Sequence, residues 1–117
     1  MTNTSRTLKL LRDKGWLADK VEQYNTFSGK RKDLFNIIDI VCLGDGDTIG
    51  VQSCGQAFSE HDKKIKSSEV APEWLKCNNK LLLIGWRKLK LKRGGKAMRW
   101  TPREKYYTLD DFKEKNE

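Results

Sequence analysis

The chain is poor in the residues that most reactive sites are built from. Its three cysteines, Cys42, Cys54 and Cys77, are odd in number and widely spaced, with no C-x-x-C pair. That excludes a disulfide framework. There is one histidine, His61, too few to complete a Cys/His zinc site at such spacing. A Ser-His-Asp hydrolase would have to use that ring, and no nucleophile elbow is present. No apolar run approaches the roughly 20 residues a membrane helix needs, and the opening MTNTSRTLKLLRDKG has no signal-peptide hydrophobic region. The expected compartment is therefore the cytoplasm, with no membrane partner. There are no repeats, linkers or low-complexity segments. One domain is expected over residues 1–117, with a core at about 4–92 and a C-terminal hairpin and tail at 93–117. Acids are the minority charge: 16 Asp and Glu against 24 Lys and Arg leave a net +8. A small basic domain points first to a polyanion, most often nucleic acid, although a merely basic surface has the same composition.

The informative stretch is Lys30 to Gly55. Three cations open it. A run of apolar and β-branched residues follows, interrupted by Asp39. Gly44-Asp45-Gly46-Asp47 then reads as a tight turn, and Thr48 to Cys54 as a second strand, so the two form a hairpin. With a period of two, Phe35, Ile37, Asp39 and Val41 share one strand face. An acid inside a buried strand is costly unless it is paired or holds a cation; near a strand end it can simply be solvated. Asp39 and Gln52 lie on the two arms of the hairpin, where their side chains can meet on one face.

Around this stretch the remaining elements fall in order. Thr4 or Ser5 caps a first helix, which Gly15 ends. Trp16 to Tyr24 reads as a strand carrying Glu22, and Asn25 to Lys32 as a loop ending in Lys30, Arg31 and Lys32. Gln56 to Lys66 and Glu69 to Lys76 read as helices, with Pro72 tolerated in a first turn. Leu81 to Trp86 is the most hydrophobic run and reads as a buried strand. It continues into the alternation Arg87-Lys88-Leu89-Lys90-Leu91-Lys92, turns at Gly94-Gly95, and returns through Met98, Trp100, Tyr106 and Tyr107. Lys113 to Glu117 reads as a frayed tail. The fold class is α/β with a mixed central sheet in α-β-β-β-α-β order and a basic C-terminal β-hairpin. The strand ending at Cys54 should run parallel to the Leu81 strand through the helices.

This pattern resembles the PD-(D/E)xK nuclease superfamily, its compact Holliday-junction-resolvase-like and phage-type members above all. The resemblance covers roughly Leu8 to Arg87 and rests on Lys14-Gly15-Trp16, Asp33-Leu34-Phe35, Ile38-Asp39-Ile40, Gly50-Val51-Gln52-Ser53-Cys54 and Ile84-Gly85-Trp86-Arg87. It implies a restriction-endonuclease-like core, Mg²⁺ or Mn²⁺ as cofactor, and hydrolysis of DNA phosphodiesters. Branched DNA as substrate, a homodimer and a bacterial or phage-infected host also follow from the resemblance. Asp39 takes the place of the metal-binding aspartate, and Gln52 that of the second acid, as a carbonyl-oxygen ligand. Cys54 stands where the lysine belongs. The motif is therefore D…QxC, short of one negative and one positive charge. Glu22 and Asp33 can supply the former; Lys63, Lys64, Lys30 or Lys32 can supply the latter. A nuclease fold that binds without cutting is the alternative.

From Lys80 to Lys105 ten Lys or Arg face one acid, Glu104, a density that favours nucleic-acid contact by Arg87, Lys88, Lys90, Lys92 and Arg93. The same lysines could protect an exposed strand edge. Lys30, Arg31 and Lys32 read either as phosphate contacts or as an exposed loop. The four tryptophans and Cys54 read as core residues, and His61 as a surface helix residue.

Overall fold

The turn at Gly44 to Asp47 joins β4 (Ile40–Gly44) to β5 (Asp47–Cys54) as an antiparallel hairpin. Asp45 and Gly46 adopt φ of 53° and 80°, the left-handed pair whose twist matches that of the flanking strands. Gly44 serves a second purpose. A Cβ there would lie 2.3 Å from the Trp16 indole, which rests directly on the backbone.

The computed structural model describes residues 1–112, and the tail expected at Lys113 to Glu117 lies outside them. Three helices and a mixed five-stranded sheet form the α/β body. The sheet contains β1 (Leu17–Lys20), β4, β5, β6 (Lys80–Lys90) and β7 (Met98–Tyr107), in the order β1-β4-β5-β6-β7. Only β5 and β6 pair in parallel. Parallel neighbours need a long crossover, here α2 (Phe58–Lys66) and α3 (Val70–Lys76).

Each sheet face has its own core. On one side Leu11 of α1 (Asn3–Asp13) packs with Ile40, Cys42, Ile49, Val51, Leu82, Ile84 and Trp86. Here Trp86 Nε1–H donates to Thr7 Oγ1, which also pairs with the Ser53 hydroxyl; both separations are 2.8 Å. On the other side Phe58, Ile65 and Ala71 cover Ile38, Cys54, Leu81 and Leu83. The N-cap of α1 is Thr2, whose hydroxyl accepts from the Ser5 N–H at 3.1 Å, rather than Thr4 or Ser5. No helix among the described residues is long and apolar enough to cross a membrane.

Further expectations need correction. The strand over Trp16 to Tyr24 is two strands: β1 ends at Lys20, and β2 (Gln23–Asn25) belongs to a separate hairpin. Its partner is β3 (Lys30–Lys32), a strand where a loop was expected. The run from Leu34 does not enter β4 directly. Phe35 and Asn36 take φ of 54° and 65°, and the Leu34 carbonyl accepts from the N–H groups of Ile37 and Ile38 at 3.2 and 3.0 Å. This turn buries Ile37 and Ile38 and leaves Phe35 exposed, so Phe35 does not share a strand face with Asp39.

Finally, β6 leaves the core after Trp86, since Arg87 to Lys90 are exposed, but it ends at Lys90. Lys92 therefore lies in the turn, not on a strand face with Lys88 and Lys90.

Candidate functional site

Asp39 sits at the point where three segments are tied together. Its N–H donates to the Val51 carbonyl at 2.9 Å, and its carbonyl accepts from the Val21 N–H at 2.8 Å. The first bond sets it against β5; the second brings the segment after β1 alongside. The side chain is only 5% exposed. Its Oδ2 accepts from the Ser53 N–H at 2.8 Å and from Gln52 Nε2 at 3.0 Å. Gln52 Nε2 also donates to Asp33 Oδ2 at 3.2 Å.

Asp33 enters from the turn before β4, and Glu22 from the connection between β1 and β2. Glu22, Asp33 and Asp39 each offer a carboxylate oxygen within 4.8 Å of the other two. Three acids from two connections, Glu22 between β1 and β2 and Asp33 and Asp39 at the two ends of the β3–β4 connection, thus meet on the α2–α3 side of the sheet, beside Gln52. Gln52 differs from expectation in one respect. It presents its amide N–H groups to the acids, and Oε1 is buried without a partner. In this arrangement it is a donor that partly offsets two carboxylates, not an oxygen ligand. Rotating the amide by half a turn would exchange the roles.

The electrostatics follow from the packing. Burial pushes the Asp39 carboxyl up from 3.8 to about 7, helped by a hydrogen bond with Asp33 and by its charge, while the Ser53 N–H and the Gln52 amide pull the other way. The carboxyl therefore favours its protonated form up to about neutral pH. Cys54 brings no positive charge. Burial, reinforced by Asp39, raises its thiol to about 11, so it stays neutral.

The nearest cations lie at the open end. Lys20 Nζ and Arg31 Nη1 stand 3.7 and 3.8 Å from Glu22 Oε1. Lys20, Glu22, Tyr24 and Arg31 line a cleft of about 390 Å³, on which Glu22 opens to solvent.

Other predicted residues are placed apart. Lys63 is exposed on α2 and has no ion pair or hydrogen bond with the acids among the described residues. Lys30, Arg31 and Lys32 are exposed on β3, and Arg31 alone of them reaches an acid of the site. Arg87, Lys88, Lys90, Lys92 and Arg93 are exposed on the β6–β7 arm and its turn. On that arm the Arg6 guanidinium carbon and Lys88 Nζ lie 3.6 and 5.2 Å from the Trp100 ring centroid, so this ring is already stacked. His61 is half-buried rather than on the surface. Its Nδ1 has no partner, and burial, with Lys64, lowers its pKa against the pull of Asp33 and Glu60.

Sequence reasoning missed Tyr24 and Phe27. Both project from the β2–β3 hairpin, and the available signal was an aromatic pair flanking Asn25 beside a basic triplet. No protein family, curated protein or solved structure matches the chain.

Proposed function

We propose that the protein is a divalent-cation-dependent DNA endonuclease, with Glu22, Asp33 and Asp39 as cation ligands. The observation that carries this reading is the meeting of three carboxylates at one partly buried point without enough positive charge to balance them. The donor set suits Mg²⁺ or Mn²⁺, which take hard oxygens from a few carboxylates and complete their shell with water and substrate. The unpartnered Gln52 Oε1 supports the fit, because an amide rotation would bring a further oxygen to the acids. Such an ion, when bound, neutralises charge on a phosphodiester and lowers the pKa of a bound water.

The chain's own residues do the rest. Asp39 is held by Ser53 and Gln52, so its carboxylate is aimed before any cation arrives. Lys20 and Arg31 flank the open end, where they can hold a phosphate against the acids. They take the role expected of Lys63. The exposed cations of β3 and of the β6–β7 arm draw in the polyanion.

Cys54 favours a second reading. A neutral thiol in the lysine position leaves no cation beside Asp39, as expected of a domain that binds DNA without cutting it. Plasmid and four-way-junction DNA incubated with Mg²⁺ or Mn²⁺, wild type beside Asp39→Ala, separates the two. Cleavage lost in the variant supports the nuclease; tight binding without cleavage supports the second reading; no binding to any DNA refutes both.

A further inference from the structure

Phe27 is 99% exposed, more than any other large apolar side chain among the described residues. The tip that carries it is closed by hydrogen bonds. Asn25 Oδ1 accepts from the N–H groups of Phe27 and Ser28 at 2.9 and 3.3 Å, and the Asn25 carbonyl accepts from the Gly29 N–H at 2.8 Å. Gly29 takes a φ of 68° to close the turn. These bonds shape a turn that points the ring outward into solvent.

Tyr24, 62% exposed, stands on β2 with Arg31 as its cross-strand partner. Together Tyr24, Phe27, Lys30, Arg31 and Lys32 border a concavity of about 560 Å³ whose lining contains no acid. Two aromatic faces beside three cations match a chain of bases and phosphates. A duplex hides its base faces, so the rings are useful only against unpaired nucleotides. Arg31 also reaches Glu22, and Tyr24 and Arg31 line the cleft at the acids. A strand lying on the hairpin therefore runs toward Glu22, the outermost of the three carboxylates.

We infer that the β2–β3 hairpin is a single-strand-binding arm, in which Phe27 and Tyr24 stack on unpaired bases and Lys30, Arg31 and Lys32 hold the backbone. This inference rests on the nucleic-acid reading above and narrows its substrate to DNA with unpaired nucleotides next to the site.

The test is fluorescence anisotropy with a labelled oligo-dT strand and a labelled duplex, for wild type, Phe27→Ala and Phe27→Trp. Because Phe27 is fully exposed, its replacement leaves the fold intact. Phe27→Ala should weaken single-strand binding at least about fivefold, the lower end of what one base–aromatic stack is worth. It should leave duplex binding and the salt slope unchanged, because no phosphate contact is lost. Phe27→Trp should restore affinity.

If Phe27→Ala binds the single strand like wild type, the arm is refuted while the nucleic-acid reading stands. If wild type binds neither strand nor duplex, both fall. Co-sedimentation with phosphatidylcholine–phosphatidylserine vesicles covers the remaining use of an exposed ring beside lysines. Vesicle binding that depends on Phe27, with single-strand binding that does not, would overturn the inference.

Discussion

The acid group sets opposite demands on pH with and without a cation, and this is the most direct way to test it. The Asp39 carboxyl is raised from 3.8 to about 7 by burial and by Asp33. A folded carboxyl with a raised pKa keeps a proton that the unfolded chain has already lost. Its contribution to stability is therefore complete below about pH 4 and is lost as pH rises through about 7. Three units at about 1.4 kcal/mol each set a ceiling on the order of 4 kcal/mol.

A divalent cation acts in the other direction, since it takes the deprotonated form. At a concentration a hundred times its Kd it adds about 2.7 kcal/mol, or roughly 10 °C in Tm for a domain of this size. Thermal melts from pH 5 to 8.5, with and without Mg²⁺ or Mn²⁺, should show a metal-induced rise that is large at pH 8 and small at pH 5. Asp39→Asn should flatten the metal-free pH slope and remove most of the rise. A wild type indifferent to either cation at pH 8, or an Asp39→Asn protein that responds as fully, would refute the reasoning.

Four further outcomes are expected. Asp33→Asn removes two of the influences that raise the Asp39 carboxyl; metal-free stability at pH 8 should rise and the metal response shrink, as read by the same melts. Gln52→Leu strips the amide donor from buried Asp39 and half-buried Asp33 and should cost about 1–3 kcal/mol by urea unfolding. Gly44→Ala drives a methyl into the Trp16 ring and should cost about 1–3 kcal/mol, with a change in tryptophan fluorescence. Asp62 gains a proton-raising push from burial, but hydrogen bonds from Tyr107 and Lys105 outweigh it and hold the carboxyl below its usual range. Its contribution is present above about pH 4 and lost as pH falls further, so Tyr107→Phe should shift acid unfolding to higher pH and cost about 1 kcal/mol at neutrality.

Local chemistry made much of the fold legible. Asp45-Gly46 announces its hairpin, Leu81 to Trp86 its buried strand, and the spacing between β5 and β6 leaves room for a helical crossover. The β2–β3 hairpin was invisible because nothing on it is buried: with no core face, its residues carry no period-two signal. The turn at Phe35-Asn36 was invisible for the opposite reason. Leu34 to Val41 is apolar enough to pass for one strand, and positive φ at a phenylalanine leaves no mark in composition. At the site, spacing suggested that Asp39 and Gln52 could meet, and the resemblance suggested that Glu22 and Asp33 could add charge. Neither could say which end of the Gln52 amide would face the acids, because that depends on Asp33 arriving from outside the hairpin.

The distribution of charge ties the pieces together. The chain carries a net +8, yet none of its cations pairs with Asp39 among the described residues; Lys20 and Arg31 serve Glu22 alone. Other acids are matched locally, as Asp62 is by Lys66 and Lys105, and Asp47 by Lys80. The positive charge is instead spread over two exposed ribbons, β3 and the β6–β7 arm. Buried acids short of countercharge lower stability, and apolar replacements would commonly raise it. Asp33 and Asp39 have no ion pair among the described residues, and on the proposed reading a mobile cation fills that deficit. In the same reading the basic ribbons draw in a polyanion that the bare acids would repel. In that proposal the cation stands between the two, joining the acids to the polyanion.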